Sequence, residues 1–167
     1  MDYKELYKYA YNYLLSKDKV TDELIKKHFV PEYQKPDSIN DIYKQLCTSA
    51  QNRQMSNKVI GLAIGGIDQL RTVLFDFNPQ KVTKAYAKTD NLLLLETIVI
   101  KLRPKGEVRK TSRSLWPQFC QSVIDAAYFL HIFEEAKDFY KWADFFAKDL
   151  RAKPALPLMI STEIAGI

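Results

Sequence analysis

The chain of 167 residues has the length of a typical single domain and is long enough to bury a core. Hydrophobic residues make up 47% and charged residues 27%, which excludes intrinsic disorder, and no apolar stretch reaches the roughly 18 residues of a membrane-spanning helix. The net charge of +5 is too small for a uniformly basic nucleic-acid coat, and the two cysteines are too few for a disulfide framework.

Three amphipathic helices are predicted in the first third of the chain. Apolar residues recur at three- and four-residue intervals, and the resulting helices cover residues 3–15, 22–29 and 39–54. Thr21 is the expected N-cap of the second helix, which ends before Pro31. Ser38, followed by Asp41 three residues later, is typical of a capping box that opens the third helix.

The middle of the chain leaves two alternatives open. Residues 57–75 are apolar on most sides, and Gly65-Gly66 either lie inside one helix or mark a break between two. Asn78-Pro79 predict the start of a short helix, with proline near its first position. Asp90 is the expected cap of a helix over 91–102, although β-branched residues at its end leave a strand possible.

Two long helices and a last short segment are predicted after residue 113. Ser114 is the expected cap of the first, which tolerates Pro117 in its first turn. A second, aromatic-rich helix follows, and the last segment spans 158–164.

Taken together, these elements predict an all-α fold, a bundle of eight or nine helices in a single domain over residues 1–167. Residues 1–37 form an N-terminal helical extension and residues 38–167 form the helical core. The N-terminal sequence Met1-Asp2-Tyr3-Lys4-Glu5 has neither a basic leader nor an apolar run. We therefore predict a soluble, cytoplasmic protein with no membrane partner.

The net positive charge is concentrated in residues 101–113, which we call the basic segment. It carries six basic side chains against Glu107 alone, and so contributes +5, while the rest of the chain is balanced. Pro104 and Gly106 interrupt it, which predicts a loop. The candidate nucleic-acid-binding residues in it are Arg103, Lys105, Arg109, Lys110 and Arg113. They favour contact with a polyanion such as the DNA backbone, and a solvated loop without a partner is the alternative.

No arrangement of side chains in the sequence predicts catalysis, a metal site or a cofactor. His28 and His131, the only histidines, lie far apart and outside any metal motif, and are interpreted as structural. Cys47 and Cys120 are predicted to be buried structural thiols. The spacing Gly61-x-x-x-Gly65-Gly66 lacks the Gly-Lys-Ser/Thr of a phosphate loop.

The aromatic side chains concentrated between residues 128 and 146 are predicted to pack mainly as core between helices rather than as a base-stacking platform. An exposed apolar groove on helices 114–150 would instead indicate a protein–protein interaction module. A protein partner is therefore the alternative to DNA.

The chain ends at Ile164-Ala165-Gly166-Ile167, an apolar sequence where terminal residues are usually polar. This ending favours a truncated protein. Alternatively, Gly166 caps a terminal helix.

Two separated stretches resemble the helix-hairpin-helix DNA glycosylase superfamily, and a third lies at a position typical of it. Residues 46–52, Leu-Cys-Thr-Ser-Ala-Gln-Asn, resemble the Leu-Ser-Gln-Gln-type segment at the start of its helical core. Residues 164–167 resemble the opening of its hairpin, and residues 75–82 lie where members often carry a short helix started by Asp and Pro. The resemblance covers about residues 39–167 and is closest to a bacterial branch outside the well-studied repair enzymes.

This resemblance implies an all-α fold with orthogonally packed helices and a DNA-facing cleft. The hairpin of the family binds phosphates through backbone N–H groups at a helix N-terminus, which would make Gly166 a DNA contact. The catalytic lysine or aspartate of family members follows the hairpin, beyond residue 167. The resemblance therefore supplies no catalytic residue in this chain, and leaves open whether a longer protein is an enzyme.

Overall fold

The computed structural model describes residues 2–29, 35–51, 59–149 and 151–164, and every regular element in these ranges is helical. The predicted all-α fold is confirmed. The nine α-helices in these ranges are α1 (Tyr3–Leu15), α2 (Asp22–Phe29), α3 (Ile39–Ala50), α4 (Val59–Ile64), α5 (Pro79–Ala85), α6 (Asn91–Leu102), α7 (Leu115–Leu130), α8 (Ala136–Lys148) and α9 (Ala155–Glu163). A 3₁₀ helix, η1 (Ile67–Thr72), follows α4. None of these helices is both long and apolar enough to cross a bilayer.

The chain divides into two compact units, residues 1–35 and residues 36–167. The first contains α1 and α2, and the second contains the remaining helices. That the whole chain forms one domain, with an extension over 1–37, remains a prediction.

The first unit contains two capped helices with little buried surface. The Asp2 carboxylate accepts a hydrogen bond from Lys4 N–H at 3.3 Å, and no residue of α1 is buried. Thr21 Oγ1 accepts from Leu24 N–H at 3.2 Å, so the predicted cap of α2 is confirmed. The two helices are joined by a hydrogen bond from the Tyr11 hydroxyl to Asp22.

Two helices of the second unit begin where the sequence predicts. Ser38 Oγ accepts from Asp41 N–H at 3.1 Å and also donates to the Asp41 carboxylate at 2.6 Å. Asn78 Oδ1 accepts from Lys81 N–H at 2.9 Å, and Pro79 opens α5. Each cap satisfies a backbone donor that has no partner inside the helix.

Gly65 and Gly66 separate α4 from η1, so the alternative of a break between two helices is correct. Their φ angles are +81° and +117°, values that L side chains rarely adopt. Residues 91–102 form the continuous helix α6 and not a strand, despite the β-branched residues at its end.

Left-handed backbone angles, with φ between +52° and +57°, occur at three consecutive non-glycine residues, Phe75, Asp76 and Phe77. Such angles are costly for side chains of this size. Phe77 is 3% exposed and its ring meets that of Tyr43 edge-on at 6.4 Å between centroids. Burial of the Phe77 ring stabilises the turn and so offsets the backbone strain. The turn leads directly into Asn78, the N-cap of α5.

Helix α7 lies at the centre of the second unit. Eleven of its sixteen residues are buried, and it packs against α3, α5, α6 and α9. The small residues Ala126 and Ala127 permit close approach on one side, while Phe119 and Leu130 fill the core on others. The Tyr43 hydroxyl of α3 donates to the backbone oxygen of Val123 at 2.9 Å, which connects two helices eighty positions apart.

We expect Tyr43→Phe to lower the free energy of unfolding by about 0.5–1.5 kcal/mol, because it removes this buried hydrogen bond while keeping the ring. Urea unfolding followed by circular dichroism measures the change. Tyr9→Phe, at a residue that is 73% exposed, is the matched control and should have no effect. Equal stability of the two variants would show that the hydroxyl of Tyr43 contributes nothing.

Stability should also fall as the pH rises above about 9. Burial raises the pKa of the Cys47 and Cys120 thiols far above their ordinary value of 9.0. Above that pH the unfolded chain releases thiol protons that the folded chain retains, so the unfolded state is favoured by up to about 1.4 kcal/mol per pH unit for each thiol. Urea unfolding between pH 9 and 10 should show a shallower pH dependence for Cys120→Ala. An unchanged slope would contradict this assignment.

Candidate functional site

The basic segment begins in the last turn of α6, which contains Lys101. Arg103 is the C-cap of α6 and has a left-handed backbone with φ of +47°, and Pro104 follows it. A left-handed residue at this position turns the chain out of the helix, and proline does not supply the N–H that a further helical turn requires. Residues 103–113 then reach α7 without forming a helix.

Three contacts hold the basic segment on the helical core, although its residues 103–113 form no helix or strand. The backbone N–H of Lys105 donates to Ala63 O near the end of α4 at 2.8 Å. Val108 is half-buried against the core. At the far end, the Ser114 hydroxyl lies 2.6 Å from Arg109 O and 2.7 Å from Thr111 O. Ser114 precedes α7 as predicted, but its side chain bonds to the segment rather than capping the helix.

All the predicted site residues that the structure describes are exposed, and they differ in their ion pairs. Arg109 bonds to the Glu107 carboxylate at 3.0 Å, and Lys110 bonds to Glu96 of α6 at 3.1 Å. The hydrogen bond to Glu107 and the negative charge of Glu107 raise the pKa of Arg109 above its usual value. Within the described ranges no ion pair involves Arg103, Lys105 or Arg113. Gly166, the remaining predicted site residue, lies outside the described residues.

A structural role also favours cations at the start of this segment. The carbonyl groups at the C-terminus of a helix carry partial negative charge, which basic side chains in the last turn stabilise by about 0.3–1 kcal/mol. Lys101 lies in the last turn of α6 and Arg103 caps it. This role accounts for the start of the basic segment, but not for Arg109, Lys110 and Arg113, which lie beyond the helix end.

Gln51 has a role that the sequence does not reveal. Its side chain is 3% exposed, and its Oε1 accepts a hydrogen bond from Gly61 N–H at 3.1 Å. A Cβ atom at position 61 would lie 2.7 Å from this oxygen, so the glycine allows the contact. The bond joins the C-terminal end of α3 to α4, the helix whose Ala63 O accepts the Lys105 N–H.

A cleft of about 430 Å³ opens beside this contact. The described residues that line it are Gln51, Gly61, Leu62, Gly65, Gly66 and Ile67. Leu62 is 73% exposed, and among the described residues no atom beyond the chain neighbours lies within 4 Å of a Cβ placed on Gly65 or Gly66. The cleft therefore borders the α4 end that contacts the basic segment.

The cysteines and His131 have the structural surroundings predicted for them. Cys47 and Cys120 are free and buried, which accounts for their raised pKa values. His131 is exposed at the end of α7, with Nδ1 2.5 Å from Tyr128 O. The side chain of His28 lies outside the described structure. No group of three potential metal ligands occurs among the described residues.

Most of the aromatic residues between α7 and α8 form core, as predicted. Phe129, Phe133, Phe139 and Trp142 meet mainly edge-on, with ring centroids 5.4–6.4 Å apart. Phe145 is the exception, with 73% of its surface exposed.

Comparison with known proteins identifies no relative. No protein-family model matches the chain, and neither a curated protein nor a solved structure matches it.

We expect Gln51→Ala to destabilise the second unit by about 1–3 kcal/mol, because it leaves the buried Gly61 N–H without its acceptor. Urea unfolding measures the loss, and Gln69→Ala, at an exposed glutamine of η1, is the matched control. A loss no larger than that of the control would mean that the Gln51–Gly61 bond contributes little.

Proposed function

We propose that this chain is a DNA-binding helical domain similar to the helix-hairpin-helix DNA glycosylases. It contacts the phosphate backbone through Arg103, Lys105, Arg109, Lys110 and Arg113. The observation that supports this most is that the segment holding the whole net positive charge is both exposed and fixed to the core. We assign no catalytic step to these residues.

A fixed basic loop suits phosphate binding for two reasons. Its backbone already has contacts at Lys105, Val108 and Ser114, so binding requires less loss of conformational freedom than an unattached loop would. Its cations lie within thirteen consecutive residues, which concentrates the positive potential on one part of the surface. Contacts of this kind give affinity without reading the base sequence.

The glycosylase resemblance implies a further phosphate contact, at the hairpin. In that superfamily the hairpin binds phosphates through backbone N–H groups, and the corresponding residues of this chain include Gly166. The basic segment would then be a second contact along the same DNA backbone. Since the resemblance supplies no catalytic residue, the function proposed for this chain is binding.

The test is a titration of the full chain against a fluorescently labelled DNA duplex at several salt concentrations. The logarithm of the binding constant decreases linearly with the logarithm of the salt concentration, and each phosphate neutralised contributes about −0.9 to the slope. The triple variant Arg103→Gln, Lys105→Gln and Arg113→Gln should therefore bind more weakly and have a slope shallower by about 2.7.

The matched control is Lys81→Gln, Lys84→Gln and Lys153→Gln, which removes the same charge from exposed lysines on other elements. Its salt slope should equal that of the unchanged chain. Equal slopes for both triple variants would contradict the assignment to the basic segment, and failure of the unchanged chain to bind at low salt would refute DNA binding.

A protein–protein interaction module is the second candidate, and exposed apolar side chains favour it. Ile132, Phe145 and Leu158 are 65–73% exposed, and a cleft of about 360 Å³ lies between α7, α8 and α9. Its lining includes Tyr128, Trp142 and Met159. Self-association or peptide binding that is lost on Phe145→Ser, without any affinity for DNA, would support this candidate over the first.

A further inference from the structure

Two of the five predicted phosphate contacts already have a negatively charged partner within the chain. Lys110 Nζ lies 3.1 Å from Glu96 Oε1, and Arg109 is bonded to Glu107 at 3.0 Å. All four side chains are more than half exposed, with 53–72% of their surface accessible. Both carboxylates are therefore positioned where an incoming phosphate would have to replace them.

The Glu96–Lys110 pair differs from the other because it crosses between elements. Glu96 lies in the middle of α6, whereas Lys110 is fourteen positions later, near the end of the basic segment. The segment does not depend on this pair for its position. The Lys105 N–H bond to Ala63, the half-buried Val108 and the Ser114 hydroxyl contacts hold it independently. Loss of the Glu96 charge should therefore free Lys110 without releasing the segment.

We infer that Glu96 acts as an internal competitor of DNA phosphate for Lys110 and thereby lowers the affinity of the basic segment. The inference rests on the proposed function. A phosphate group has the same charge sign and hydrogen-bond acceptors as the carboxylate, so the two compete for one ammonium group. Glu107 acts on Arg109 in the same way, although that pair is confined to the segment itself.

The expected size of the effect follows from the exposure of the pair. Exposed ion pairs are weak and screened by salt, so release from Glu96 should improve binding by about two- to fivefold. Glu96→Gln keeps the shape of the side chain and removes its charge. Glu135→Gln is the matched control, because Glu135 forms an equally exposed ion pair with Lys137 at the start of α8. Both changes raise the net charge by one, so a difference between them reports the local effect.

A double-mutant cycle on the full chain tests the inference against the same labelled duplex at low salt. It compares the unchanged chain, Glu96→Gln, Lys110→Gln and the double variant. We expect Glu96→Gln to tighten binding by about two- to fivefold and more than Glu135→Gln does. Lys110→Gln should weaken binding more in the Glu96→Gln background than in the unchanged chain.

Additive effects in this cycle, or binding weakened by Glu96→Gln, would overturn the inference while leaving DNA binding by the segment in place. If the unchanged chain does not bind the duplex at all, the proposed function fails and the inference fails with it. Thermal unfolding of each variant checks that the fold is retained, which the exposure of both side chains leads us to expect.

Discussion

Burial of helix α7 on nearly all sides is the constraint on which the second unit depends. Its neighbours α3, α5 and α6 each pack on α7 far more extensively than on any other helix, whereas α9 contacts both α7 and α8. The polar residues of α7 form one narrow, partly buried stripe of Gln118, Gln121 and Asp125, and most of its other residues are inaccessible. The functional surface is therefore confined to the outer faces and connections of the surrounding helices. The basic segment is one of these connections, fixed at one end by α6 and at the other by α7.

Most helix starts can be predicted from the sequence because neighbouring residues decide them, although the side chains of Asp90 and Ser114 do not cap α6 and α7 as predicted. Contacts between distant residues cannot be predicted in this way. The caps at Ser38 and Asn78 depend on a side chain and a backbone N–H three residues later, so a local pattern reveals them. The break at Gly65-Gly66 could not be decided from sequence, because glycine serves both close helix packing and left-handed turns. The left-handed run at residues 75–77 has no sequence signal, since phenylalanine disfavours such angles.

At the candidate site too, local features could be predicted from the sequence and long-range contacts could not. Exposure of its basic residues could be predicted from their number and from Pro104 and Gly106. The attachment of the segment could not, because Ala63 is forty-two positions before Lys105 and their bond depends on how α4 lies beside the loop. The bond between Gln51 and Gly61 could not be predicted either, because it depends on how α3 and α4 meet. The ion pair between Lys110 and Glu96 likewise depends on the fold, because Glu96 lies in the middle of α6.

The central position of α7 has a consequence for synthesis on the ribosome. Tyr43 and its hydrogen-bond partner Val123 are eighty residues apart, so helices made early have no core to join until α7 has emerged. At about 5–20 residues per second, this interval lasts roughly 4–16 seconds. As α3, α5 and α6 are synthesised in turn, each lacks α7, its main packing partner. Chaperones bind nascent chains under these conditions. The order of the helices along the chain therefore leaves their apolar faces uncovered until α7, which ends at residue 130, is available.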